Sequence, residues 1–154
     1  MVFGKLLDGT SQGYPSSLGL IHELYEGRPG VGHQVVGNRE ISDFPSCIYM
    51  STLTHVPEYY IDVTDAAALH FAGAVLPDVK EERIFGFAGW YTWNDILAIL
   101  RKHYPEQPIP EELSAPGVAH DIRTRARAEQ LLRELGHPGW ISLEDSVKAV
   151  VESK

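Results

Sequence analysis

The sequence predicts an α/β fold, a small mostly parallel sheet with several covering helices, and three observations point that way. Short β-like runs pass into helix caps, stripes of apolar residues recur at helical spacing, and 154 residues with 44% hydrophobic content suffice for one buried core. The chain reads as a single domain over residues 1–154, with no internal repeat and no low-complexity tract.

Taken in order, Val2-Phe3-Gly4 reads as the end of a buried strand whose earlier residues are missing, so the chain is expected to begin mid-fold. A helix follows from Ser16 to Tyr25, with Ser16 or Ser17 as cap, Leu20, Ile21, Leu24 and Tyr25 as its apolar stripe, and Gly27 as stop. Residues 28–46, with Gly30, Gly32, Gly37 and Pro45, keep no period and are expected to form a mobile surface loop or a lid. Two β-like runs come next, Cys47 to Met50 and Tyr59 to Val63. The second leads into a helix expected to start at Asp65, where the carboxylate can accept from free first-turn amides.

A further strand is expected from Arg83 to Ala88, where Ile84, Gly86 and Ala88 alternate with Phe85 and Phe87. Thr92-Trp93-Asn94-Asp95 then has the spacing of a capping box, and the helix after it should bury Trp93, Ile96, Leu97 and Leu100 before Pro105 ends it. Residues 106–116 form a proline-rich connector. Ala128, Leu131, Leu132 and Leu135 mark a helix closed by Gly136 and Pro138. Leu143, Val147, Val150 and Val151 mark another, opened by Ser142 with Asp145 three residues on.

Composition narrows the partners. A formal charge of −8 repels phosphate backbones and anionic lipid surfaces, which argues against nucleic acid or a membrane as partner. The single cysteine, Cys47, excludes an internal disulfide and a cysteine-rich zinc site. No run of about eighteen apolar residues occurs, and the first residues lack a signal-peptide pattern, so a cytoplasmic protein is expected. Seven histidines form no HxH, HxxxH or HExxH pair, and no metal is expected. Arg123, Arg125, Arg127 and Arg133 read as a solvated helix face before an anion site. Asp62 and Asp65 read as structural before acid or base, and His70, flanked by Leu69 and Phe71, as a satisfied core histidine before a catalytic base.

Several of these stretches together carry a family resemblance. Tyr60-Ile61-Asp62-Val63-Thr64-Asp65-Ala66-Ala67, then Glu82-Arg83-Ile84-Phe85-Gly86, then the run from Tyr91 to Lys102 resemble the distal half of extended short-chain dehydrogenases/reductases. Within that family the chain is similar to carbonyl reductases of the dihydroflavonol-reductase, cinnamoyl-CoA-reductase and fungal aldehyde/ketone-reductase type, often labelled NAD-dependent epimerase/dehydratase. Val2-Phe3-Gly4-Lys5 resembles the family's valine-aromatic-glycine-proline strand end, with Lys5 in place of proline. Thr64 stands where arginine is common. The pair of stretches Leu131 to Gly136 and Gly139 to Val147 resembles its closing helices.

The resemblance implies a substrate-side role. It places Leu6, Leu7, Tyr14, Tyr49, Trp90 and Tyr91 where relatives line the acyl or aryl part of their pocket, and leaves Tyr14, Tyr49, His70 and Tyr91 as candidate catalytic groups. It also implies what the sequence does not contain. Dinucleotide binding in this fold needs a glycine turn before a helix N-terminus, and neither GxxGxxG nor GxGxxG occurs; Gly27, Gly30 and Gly32 have another spacing. Family catalysis needs a tyrosine with a lysine four residues on. The seven tyrosines are followed at that distance by Leu18, Pro29, Leu53, Val63, Thr64, Asp95 and Pro108.

The expected function is therefore that of a substrate-binding domain for a hydrophobic carbonyl-type small molecule, with no cofactor of its own and no hydride transfer alone. Its partner would be a separately encoded Rossmann half or a second copy in a homodimer. Two alternatives stay open: a cofactor-independent isomerase, cyclase or dehydratase of secondary metabolism, and an inactive truncated product.

Overall fold

The computed structural model describes residues 1–7, 16–27, 58–110, 122 and 124–153. Eight elements follow one another: β1 (Val2–Phe3), α1 (Ser16–Tyr25), β2 (Glu58–Asp62), α2 (Val63–Val75), β3 (Gly89–Tyr91), α3 (Trp93–His103), α4 (Arg125–Glu134) and α5 (Leu143–Glu152). The expected loop over 28–46 and the expected strand Cys47 to Met50 lie outside the described residues, as does the connector beyond residue 110.

The three strands form one sheet in the order β1-β2-β3. Val2 pairs with Ile61 in parallel, whereas Glu58, Tyr59 and Tyr60 pair antiparallel with Tyr91, Trp90 and Gly89. The described sheet is thus mixed, where a mostly parallel one was expected. Its strands alternate in pointing to two separate cores. On one face Phe3, Tyr60 and Tyr91 pack with Ile21 and Leu24 of α1, Ile96, Leu97 and Leu100 of α3, and Val147 and Val150 of α5. On the other, Ile61 packs with Leu69 and Ala72 of α2 and Ala128, Leu131 and Leu132 of α4. Trp140 is half-buried against both clusters and joins them.

Helix boundaries follow local chemistry. Thr92 and Asp95 close the expected capping box on α3, each side chain meeting the other's backbone amide, and Trp93, Ile96, Leu97 and Leu100 are buried as expected. Ser142 accepts from Asp145 N at 3.1 Å and opens α5. Gly27 and Gly136 take positive φ just past α1 and α4, a conformation that costs glycine little. Ser17, one of the two expected caps of α1, lies inside the helix, and its hydroxyl donates to Val2 O at 3.0 Å, tying α1 to β1.

Two expectations are corrected. The helix expected to start at Asp65 starts at Val63, and its cap is Asp62, whose extended backbone lets Oδ1 accept from Thr64 N at 2.8 Å. Both aspartates have capping chemistry, and the end of β2 decides between them. The strand expected over Arg83 to Ala88 does not form; the strand is Gly89–Tyr91. A tight turn with Phe87 N donating to Phe85 O at 3.1 Å diverts the backbone, and the chain rejoins β2 only where Ala88 N donates to Tyr60 O.

Candidate functional site

Strand alternation gives β3 two chemically different sides. Trp90 lies opposite Tyr59 and, at 55% exposed, stands out from the sheet. The Tyr59 ring stacks obliquely on Phe87 with centroids 5.3 Å apart, and Phe87 lies 6.0 Å from Phe85. Tyr59, Phe85 and Phe87 are half-buried, and with Trp90 on the same sheet face as Tyr59 they form an aromatic shelf. Gly86 lets this shelf sit close to β2, since a Cβ there would come within 2.7 Å of Ile61 Cδ1. Such a surface offers π faces and dispersion, with little to hold a charge.

The other side of β3 is interior. Tyr91 is buried among Phe3, Tyr60 and Trp93, all edge-on, and its hydroxyl donates to Glu58 Oε2 at 3.1 Å. Burial pushes the phenol well above its ordinary range and the Glu58 carboxylate beside it adds to this, while burial also raises Glu58. Tyr91 therefore stays protonated and serves as a donor to Glu58.

A buried polar seam lies at the carboxyl end of β2, the end at which open α/β sheets hold their ligands. Asp62 Oδ2 accepts from Ser146 Oγ of α5 at 2.8 Å, and Asp65 Oδ2 accepts from Ile141 N at 2.9 Å. Tyr60 donates to Ile141 O at 3.3 Å. Asp65 is fully buried, its Oδ1 has no hydrogen-bond partner among the described residues, and burial raises its carboxyl above the ordinary 3.8.

That shift fixes the sign of a pH effect. A carboxyl held more tightly protonated in the folded state contributes most below the ordinary aspartate range, and stability falls as pH climbs from 3.8 toward the raised value. Asp65→Asn is expected to flatten this fall, checked by urea unfolding at about pH 4 and about pH 7. An unchanged slope would show that another group causes it.

Of the residues singled out in the sequence, Trp90 lies on the shelf and Tyr91 beneath it. Leu6 is buried in the α1–α3–α5 core, and its amide donates to Ser153 Oγ at 2.9 Å; Leu7 next to it is exposed. His70 is exposed on α2 with Nδ1 2.7 Å from Ala66 O, so the reading of it as a core histidine is corrected. Of its apolar neighbours in sequence, Leu69 faces the core, whereas Phe71 is exposed like His70. Tyr14 and Tyr49 lie outside the described residues. Arg127 is held by Glu82 at 2.9 Å and Asp78 at 3.0 Å, and Arg133 by Glu129 at 2.7 Å, as a solvated face requires.

Sequence reasoning did not find Tyr59, Phe85 and Phe87 as companions of Trp90, nor Ser146 as the partner of Asp62. The first could be read from aromatics at alternate positions beside a strand. Nothing in the sequence pairs Ser146 with a residue 84 positions away.

No family model matches the chain. Aldehyde reductase 2 of Sporidiobolus salmonicolor is 37% identical over 98 residues, covering 64% of this chain and 29% of that protein. The NAD-dependent epimerase/dehydratase terH of Aspergillus terreus is 40% identical over 98 residues, 62% of this chain and 28% of that protein. The ketoreductase adrE of Penicillium roqueforti is 39% identical over 98 residues. Over these stretches the chain is similar to an aldehyde reductase, a ketoreductase and an NAD-dependent epimerase/dehydratase. It spans less than a third of the length of these curated relatives. Gre2 from Candida albicans, solved in complex with NADPH, shares the fold over 99% of this chain and 40% of its own, with a TM-score of 0.62 and 20% identity. A second Gre2 structure gives 0.61 and 19%. Among the described residues, no helix is long and apolar enough to cross a membrane.

Proposed function

We propose that this chain supplies the substrate side of a carbonyl reductase, binding a hydrophobic aldehyde or ketone against the aromatic shelf, while hydride chemistry belongs to a nucleotide-binding portion of the same assembly. The observation that carries the proposal is the homology to an aldehyde reductase and ketoreductases over only 28–29% of their length. The sequence in hand adds that no glycine turn for a pyrophosphate and no tyrosine with lysine four residues on occur in it.

The shelf suits such a substrate. An aryl or acyl ketone brings apolar area and one carbonyl acceptor, and Trp90 offers both an open ring face and an indole N–H donor. The polar seam of Asp62, Asp65 and Ser146 ties α2 to α5 and to Ile141, which keeps the sheet and helices in register.

Tryptophan fluorescence tests this directly. A hydrophobic aryl ketone is expected to quench it saturably, Trp90→Phe to remove most of the quenching, and NADPH to leave the chain unchanged. Saturable binding of NADPH without binding of the ketone would contradict the proposal.

A further inference from the structure

Between α2 and β3 the chain runs from Leu76 to Ala88 without a helix or strand, and this stretch carries Phe85 and Phe87 of the shelf. Its backbone is tied near both ends. Leu76 N donates to Ala72 O and Val79 N to Leu76 O, while Phe87 N donates to Phe85 O and Ala88 N to Tyr60 O. Side chains anchor the part between: Val79 and Ile84 pack against the α2–α4 core, and Glu82 reaches Arg127 of α4.

Arg127 grips this stretch through its guanidinium fork. Nε donates to both Glu82 oxygens at 3.2 Å, and Nη2 donates to Glu82 Oε1 at 2.9 Å and to Asp78 Oδ2 at 3.0 Å. The two carboxylates bracket Glu81, whose φ of +51° is a conformation that residues with a side chain seldom take. Glu81 is exposed, and the anchors on either side of it are the carboxylates that converge on Arg127. Arg133 offers the contrast, since its pair with Glu129 lies within α4 itself.

We propose that Arg127 is the positioning residue of the aromatic shelf, holding Asp78 and Glu82 against α4 so that Phe85 and Phe87 are presented beside Tyr59 and Trp90. The inference rests on the reading above that this shelf binds the carbonyl substrate. Glu82 lies three residues before Phe85, with Ile84 seated on the core between them, so a shift at Glu82 is carried to the rings. Arg127 touches no ring and acts through Glu82.

Magnitude decides what kind of role this is. An isolated ion pair in water contributes too little to hold a domain together, and a forked arginine shared by two carboxylates contributes more because its planar donors fix a geometry. Such an anchor leaves the two cores standing, since these rest on buried leucines, valines and aromatics. It sets instead how much of the time a segment without a helix or strand occupies its place. Loss of Arg127 should therefore show at the shelf and not in the cores.

Amide hydrogen exchange and acetophenone binding, both read on the full chain, test this. Arg127→Gln is expected to speed exchange of the Ala88 amide about threefold or more, while the Leu100 and Val147 amides of the other core keep their rates. Acetophenone binding, followed by tryptophan quenching, should weaken about threefold in the same variant. Glu82→Gln should do the same, and the double variant little more, because the two side chains act as one unit. Arg133→Gln is the control and should change neither reading. An unchanged Ala88 amide in Arg127→Gln, or equal acceleration at Leu100, overturns the positioning role and leaves the proposed function standing. So does a faster Ala88 amide with acetophenone binding as before. Failure of the wild-type chain to bind acetophenone overturns the proposed function, and this inference with it.

Discussion

Gly4→Ala is expected to destabilise the fold by about 3 to 5 kcal/mol, the sum of backbone strain and overpacking. Gly4 has φ +118°, a region that L side chains rarely adopt. The added methyl would also lie 2.7 Å from Asp62 Oδ2 and 2.9 Å from Val63 Cγ1. Asp62 is not free to withdraw. Asp62 caps α2 through Thr64 N and accepts from Ser146 of α5, so pushing its carboxylate aside breaks the junction of β2, α2 and α5 at once. Urea unfolding measures the loss, and a change below about 1 kcal/mol would mean that this junction tolerates movement.

Leu131→Ala is expected to cost about 2 to 5 kcal/mol, the transfer free energy of the lost side chain together with the cavity it leaves. Leu131 is fully buried between α4 and α2, in the smaller of the two cores, beside Leu69, Ala72 and Leu132. That core seats α2 against α4. The same unfolding series checks the stability loss, and a cost under about 1 kcal/mol would show that α4 contributes little to holding α2.

Much of the fold was legible because its signals are local. Thr92 with Asp95, Ser142 with Asp145, and Gly27 and Gly136 past their helices all work within four residues of the element that they bound. The errors came where a distant partner decides. Asp62 and Asp65 are both good caps, and their roles were settled by where β2 stops and by Ile141 reaching Asp65 across 76 positions. The run from Arg83 to Ala88 has the alternation of a strand, but a turn at Phe85 to Phe87 moves the pairing on to Gly89–Tyr91. His70 looked interior from its apolar neighbours, and only the packing of α2 shows that it faces outward.

The candidate site divides in the same way. Trp90 and Tyr91 were visible as aromatics at a strand end, yet adjacent strand residues point to opposite faces, so one became an open shelf and the other a buried donor to Glu58. The homology to reductases follows from motifs at several separated stretches, which no single helix stripe would have supplied.

The most direct measurement is carbonyl-dependent oxidation of NADPH, followed at saturating hydrophobic ketone with the purified chain alone and again after adding a folded nucleotide-binding portion of a relative. The account predicts no turnover from the chain alone and turnover once both are present. Steady NADPH oxidation by the chain alone would contradict it.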